Sequence, residues 1–265
     1  MNKLSLIIPT YRNPKYLDLC LKSAIENQTQ DNEIIVVVDG FIEESQEVLN
    51  SYIQYIQVLD LGENQGMQTA LNFGVMNAVN ECIVIINDDN VLCKDWDSLI
   101  LQKYQSNAVY TINQIEPNGP GIFNFPVKDL GRHPDNFKYD EFLSYEQTLR
   151  SEEITLDGGI FPFVISKKNY MIVGGFDTIY QSPFICDWDF FLKLDLMGLD
   201  FYRISNLHFY HFGSAATKNG KEGNKFKNTE LPAAQTFMYK WGITPQLFEN
   251  NSHRPKGIFA KGIQF

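Results

Sequence analysis

Residues 83–90 read IVIINDDN, a run of apolar and β-branched side chains that ends abruptly in two acids flanked by amides. A strand built this way carries carboxylates at its own carboxyl end. In open α/β sheets ligands sit in the crevice outside the carboxyl ends of parallel strands, so Asp88 and Asp89 would stand where hard oxygen ligands can hold Mg²⁺ or Mn²⁺ against a phosphate. An Asn/Asp turn that closes the strand through local hydrogen bonds, with no metal, explains the same residues. On this stretch alone both readings stay open.

The elements that must position these acids follow an α/β pattern. Residues 4–8 form a short apolar run closed by Pro9 and Thr10, and Asn13-Pro14 supplies a helix start with proline at the first helical position. Leu17, Cys20, Leu21, Ala24 and Ile25 recur at three- and four-residue spacing and predict a helix over 14–27. Residues 34–38, unbroken in β-branched and apolar side chains, predict a parallel strand covered on both faces and ending at Asp39-Gly40. Helices over 43–52, 65–77 and 96–104 then alternate with strands over 56–59, at the acid pair, and over 108–112. Such alternation specifies a mostly parallel sheet flanked by helices, with right-handed crossovers.

Periodicity fails across 116–153, apart from a turn or two of helix over 141–150, and long irregular stretches inside a domain are commonly functional loops. Regular patterning resumes with a strand over 160–166, a short helix from Lys167, a helix over 188–197 stopped by Gly198, and strands over 201–204 and 207–211. Neither an internal repeat nor a low-complexity linker interrupts the chain, so a single α/β domain over 1–219 with a C-terminal tail over 220–265 is the expected organisation.

Composition excludes several function classes. The 265 residues contain no apolar run of the roughly 18 needed to cross a membrane, and a net charge of −10 argues against nucleic-acid binding. The four cysteines lack C-x-x-C spacing, which predicts buried free thiols. The N-terminal MNKLSLIIPTYRNP has no small-residue cleavage site after its short apolar stretch, so a cytoplasmic location is expected. Charge is uneven: from residue 218 onward eight Lys/Arg against three acids give +5, which leaves −15 for the preceding part of the chain.

With these residues placed, the chain resembles the family 2 glycosyltransferases of the GT-A fold, inverting enzymes that use nucleotide-sugar donors. The resemblance is carried, in order, by LSLIIPTYRNP, EIIVVVDG, GENQGMQTALNFGVMNA, the NDDN turn, and VGGFD and CDWDFFLKL followed by HFGSAAT, between about residues 4 and 217. It implies a nucleotide-sugar-binding half over 1–112 and an acceptor and catalytic half over 113–219. Asp89 would be the first ligand of a divalent cation, Mn²⁺ or Mg²⁺, with Asp88 touching ribose or metal, and His211 reaching back to the cation. Alternation puts His208 on the opposite face. Asn87 and Leu71 stand where many relatives carry an acid and a basic residue.

The same resemblance places Pro9, Thr10, Tyr11, Asp39 and Asn64 around the nucleotide. A carboxylate at Asp39 can accept the imide N–H of uracil or thymine, or the N1–H and amino group of guanine, so UDP-, dTDP- and GDP-linked donors all fit. Asp187 in CDWD stands where the family places its general base, with Cys186 replacing the usual Glu and Asp189 as the alternative base. A helix cap is the structural alternative for Asp187. Trp188 and Gly158-Gly159 would line the sugar or acceptor side, although a plain turn explains the glycine pair equally well.

The leading expectation is a metal-dependent inverting transferase acting on a saccharide or glycan acceptor, free or lipid-linked. A sugar nucleotidyltransferase would need a glycine-rich phosphate loop after the first strand, and PTYRNPKY has no glycine. A catalytically silent GT-A-like binding module would have no use for Asp187 and His211. The basic tail, with Lys221, Lys225 and Lys227, is expected to close over a bound diphosphate, with residues 231–241 docking as a short helix; an anionic membrane surface or plain solubility are its other uses.

Overall fold

A computed structural model of the chain describes residues 3–118, 125–180, 182–213 and 228–245. The first half alternates strands and helices: β1 (Leu4–Thr10), α1 (Pro14–Glu26), β2 (Glu33–Val38), α2 (Ile42–Tyr52), β3 (Gln57–Asp60), α3 (Met67–Asn77) and β4 (Cys82–Ile85). After β4 come the short β5 (Asn90–Val91), α4 (Trp96–Lys103), β6 (Ala108–Ile115), a 3₁₀ turn (Pro134–Asn136) and α5 (Tyr139–Leu149). The described chain ends with β7 (Ile154–Thr155), β8 (Phe163–Ser166), α6 (Lys167–Ile172), α7 (Cys186–Leu196), β9 (Asp200–His211) and α8 (Glu230–Trp241).

All the strands join one sheet in the order β3-β2-β1-β4-β8-β6-β9-β5, with β7 also pairing β9. β1, β2, β3 and β4 are parallel neighbours, whereas β8 runs antiparallel to both β4 and β6. The fold is therefore α/β with a sheet that is parallel from β1 to β4 and mixed beyond it. Period-two alternation divides each strand between two cores. Leu6, Ile8, Val36 and Val84 face one cluster with Leu17 and Leu21 of α1, Trp96 of α4 and Phe142 of α5. Ile7, Ile35, Val37, Ile83 and Ile85 face the other, with Leu71 of α3 and Phe190 of α7. Leu71 is fully buried.

Three segments depart from the sequence expectation. The irregular 116–153 stretch contains a full helix, α5, whose first turn carries Asp140 and Glu141 as favourable partners for the helix dipole. The two expected strands over 201–204 and 207–211 are one continuous strand, β9, interrupted by a bulge. Ile112 pairs with Ile204 but Asn113 pairs with His208, so β9 accommodates three extra residues at that point. The bulge is tied down locally, since Ser205 exchanges backbone bonds with Ser151 and Glu153 and Asn206 donates to the Leu99 carbonyl.

The third departure concerns the tail: the helix expected over 231–241 is present as α8, but it packs as part of the body, with Ala233 and Phe237 buried in the second core. Lys221, Lys225 and Lys227 lie outside the described residues. Because Phe237 is 0% exposed, Phe237→Ala is expected to cost about 3–5 kcal/mol. Urea denaturation checks this: a helix that merely hung from the domain would leave the unfolding midpoint near wild type.

Candidate active site

The NDDN segment satisfies both readings of its sequence. Its amides build the turn, with Asn90 N–H donating to the Asn87 carbonyl and the Asn90 side chain accepting from Asn87 N–H. That leaves the acids at the apex, beyond the end of β4. Asp88 is the bracing member: its carboxylate accepts from Thr10 Oγ1 at 2.7 Å and Asn13 Nδ2 at 3.0 Å, which ties the end of β4 to the β1–α1 loop. Burial and the neighbouring Asp89 push Asp88 up to about 7, against the pull of those donors.

Asp89 faces β9. β5 and β9 pair antiparallel with Asn90 opposite His211, and His211 Nε2 lies 3.5 Å from Asp89 Oδ1. The imidazole's other nitrogen, Nδ1, lies 3.0 Å from Glu116 Oε1. Sequence reasoning missed Asn13 and Glu116; Glu116 is the first residue of the stretch that lacks periodicity, and only the register of β6 against β9 reveals it. His208 turns to the opposite side, buried against Glu146 of α5.

Among the described residues no cluster of three His, Cys, Asp or Glu side chains is arranged to hold a metal ion unaided. The pair formed by Asp89 and His211 nevertheless suits a cation of the Mg²⁺ or Mn²⁺ kind, which takes one or two protein ligands and completes its shell with phosphate oxygens and water. A cation here would arrive with, or be completed by, a diphosphate.

The other candidate nucleotide residues line the ends of β1 and β2. Thr10 is buried in the brace to Asp88, while Pro9 and Tyr11 are part-exposed, and Tyr11 meets Phe41 edge-on at 5.9 Å. Asp39 is buried and accepts from the backbone N–H of Gln65 (2.6 Å) and Gly66 (3.0 Å), which open α3. Burial pushes its carboxyl up while those two N–H groups pull it down. Gly40 follows with φ +83, and a Cβ there would stand 2.7 Å from Asn64 N, so only glycine lets the exposed Asn64 loop close against Asp39.

α7, which carries residues expected to face the acceptor, begins at Cys186, two residues earlier than the sequence pattern implies. Asp187 therefore sits within the first turn, where its Oδ1 accepts from Trp188 N–H at 3.0 Å; the preceding Ile185 has φ 71, a strained conformation for a β-branched residue. Trp188 packs part-buried on the second core. Asp189 is in a different setting. It is 0% exposed, and its Oδ1 accepts from Tyr180 OH (3.0 Å), Trp241 Nε1 (2.7 Å) and Lys240 Nζ (2.7 Å). This carboxylate fastens α8 to α7, so the geometry gives it a structural task rather than access to a substrate.

The glycine pair has a structural account: a Cβ on Gly158 would lie 2.5 Å from the Tyr202 carbonyl oxygen, so the passage of β9 explains a residue without a side chain there. Gly159 N–H donates to Thr111 Oγ1 at 2.8 Å.

An α/β fold with acids at the carboxyl ends of parallel strands places the candidate site in the crevice where open α/β sheets bind ligands, and similarity to known proteins narrows the class. The family model for glycosyl transferase family 2 matches residues 5–171, and the chain belongs to that family. An uncharacterised glycosyltransferase of Rickettsia prowazekii is 34% identical over 252 residues, covering 90% of this chain and 70% of that protein. One of Haemophilus influenzae is 27% identical over 194 residues, covering 72% of this chain, which spans only 61% of that relative's length. Among solved structures, the mannosyltransferase PcManGT of Pyrobaculum calidifontis, in complex with GDP-Man and Mn²⁺, superposes with a TM-score of 0.61 at 14% identity, covering 95% of this chain and 68% of that one. S. aureus TarS 1-349 with UDP-GlcNAc gives 0.58 at 16% identity, covering 94% and 79%. These likenesses establish the GT-A fold. No helix among the described residues is long and apolar enough to cross a membrane.

The burial that separates His208 from His211 has a measurable consequence. Burial and nearby Arg150 hold His208 down at about 4, below its ordinary 6.5. Between those values the unfolded chain binds a proton that the folded chain refuses, so stability is full above pH 6.5 and declines toward pH 4 by about 1.4 kcal/mol per pH unit. Glu146, pushed up by its own burial, contributes with the opposite sign at the acid end. Denaturation of wild type and His208→Gln across pH 4–7 therefore isolates the histidine: the variant should lose this slope, and parallel curves would refute the assignment.

Proposed function

We propose that the chain is a divalent-cation-dependent inverting glycosyltransferase, moving a sugar from a nucleotide-sugar donor to the hydroxyl of a saccharide or glycan acceptor. The observation that carries this reading is the approach of His211 Nε2 to 3.5 Å from Asp89 Oδ1 at the carboxyl end of β4, made by the β5–β9 pairing. The donors in the related solved structures, GDP-Man in one and UDP-GlcNAc in the other, support a nucleotide sugar without choosing between nucleotides.

In this reading Asp89 and His211 hold the cation, Mn²⁺ or Mg²⁺, which when bound neutralises charge developing on the leaving diphosphate. Asp88 braces the turn so that Asp89 keeps its aim. Pro9, Thr10, Tyr11, Asp39 and Asn64 form the base and ribose side, with Asp39 meeting the base edge while the Gln65 and Gly66 N–H groups fix its orientation. Asp187 takes the proton from the acceptor hydroxyl as that oxygen attacks the anomeric carbon from the face opposite the leaving group. Its contact with Trp188 N–H orients the carboxylate. Trp188 stands beside it on the acceptor side.

Two substitutions test the assignment. Asp89→Ala should abolish cation-dependent binding of UDP or GDP in titration calorimetry, and a variant that binds as wild type would refute the cation site. Asp187→Asn, which can still accept from Trp188 N–H, should leave nucleotide binding near wild type and lower kcat by about 10² or more. An unchanged kcat would remove Asp187 from the base role.

A further inference from the structure

His211 is the one candidate cation ligand that comes from the far side of the sheet, and its ring is gripped at both nitrogens. Nε2 faces Asp89 at 3.5 Å, and Nδ1 meets Glu116 Oε1 at 3.0 Å. The two nitrogens of an imidazole direct their bonds away from each other, so Glu116 lies on the side of the ring turned from Asp89. We propose that Glu116 is a positioning residue for the cation site: its carboxylate accepts from Nδ1–H and so fixes the ring with Nε2 presented beside Asp89. The inference rests on the cation site proposed above.

Three features of the chain support this role over a chance surface contact. First, the contact is set by strand register. β6 pairs in parallel with β9 up to Ile115 opposite Tyr210, which brings the next residues, Glu116 and His211, alongside each other. Without the bulge after Ile112, the register would be offset by three residues and another side chain would face the imidazole. Second, Glu116 is held by its backbone on both sides: its N–H donates to the Pro126 carbonyl at 3.0 Å, and its carbonyl accepts from Lys128 N–H at 2.9 Å. A side chain on so fixed a backbone orients its partner at low entropic cost. Third, the contact is sheltered, with the His211 side chain 13% exposed and that of Glu116 23%.

The chemistry gives the arrangement a purpose. A histidine ligand must offer one nitrogen with its lone pair and keep the proton on the other, and a carboxylate at the far nitrogen both selects that tautomer and raises the ligand's basicity. Removing such a partner typically weakens metal affinity by about 10–100-fold. A neutral acceptor in the same place should preserve orientation and lose part of the basicity.

The test reads the cation directly. Mn²⁺ binding in the presence of UDP, and separately GDP, is measured by electron paramagnetic resonance on wild type, Glu116→Ala, Glu116→Gln and His211→Ala, with pulsed detection of imidazole nitrogen coupled to Mn²⁺. Wild type should show a nitrogen coupling that His211→Ala removes. Glu116→Ala should then bind Mn²⁺ about 10–100-fold more weakly with a diminished nitrogen signal, and Glu116→Gln should fall between the two. Thermal midpoints identify any variant that fails to fold; because the backbone contacts of Glu116 do not involve its side chain, Glu116→Gln carries the comparison if the alanine variant is lost. Wild-type affinity and nitrogen coupling in a folded Glu116 variant set would overturn the positioning role while leaving the cation site standing. Absence of Mn²⁺ binding in wild type, or a coupling that survives His211→Ala, would overturn the cation site itself and this inference with it.

Discussion

The pairing of β9 with β5 and β6 is the constraint on which the site depends. Every strand of the parallel half is apolar on both faces, so polar chemistry is confined to strand ends. β4 can therefore deliver Asp88 and Asp89 only at its carboxyl end, and anything meant to meet them must come from elsewhere in the sheet. β9 does this by running antiparallel to β5 at the turn itself and parallel to β6 on its other side. One strand thus carries His211 between an acid from β4 and an acid from the end of β6. The three-residue bulge sets this meeting, because the side chains a strand offers at its end depend on the register held along its length.

Local pattern was enough to find most of the elements and to point to part of the candidate site. The β-branched runs of β1, β2 and β4 and the three-to-four spacing in α1 express burial directly, and burial is a property of one residue and its near neighbours. Asp39, Asp88 and Asp89 were legible for the same reason, as acids that terminate such runs. Roles that depend on distant partners were not. Gly158 looks like a flexible turn residue until the Tyr202 backbone is seen against it, and Glu116 looks like the start of a loop until β6 and β9 are aligned. Asp187 and Asp189, two residues apart, could not be separated by pattern, since what distinguishes them is a helix some fifty residues further on that claims the second.

That helix also changes the meaning of the C-terminal charge. Lys240 was counted as part of a basic tail, yet its ammonium group lies 2.7 Å from Asp189 and 2.7 Å from Asp177. Lys193 also approaches Asp189, at 3.7 Å, and burial pulls Lys193 down against that attraction. A carboxylate buried without partners is expensive, whereas one that receives an ammonium, an indole N–H and a phenol is tolerated and strongly directional. Such a node specifies which surface of α7 receives α8 more sharply than the apolar contacts of Ala233 and Phe237 could, because hydrophobic packing alone has little preference for register.

Among the buried acids of the described residues, Asp189 and the Asp88–Asp89 pair are accommodated in different ways. Asp189 Oδ1 receives its donors from within the fold, from Tyr180, Lys240 and Trp241. Asp88 and Asp89 have neutral donors for the first and a histidine beside the second, and burial together with mutual repulsion pushes Asp88 up to about 7. Desolvation and mutual repulsion penalise two adjacent carboxylates, and the same low dielectric strengthens their attraction to a positive charge. The acids are thus held where the fold tolerates them and where, on the proposed reading, a cation bound with the substrate would offset their repulsion.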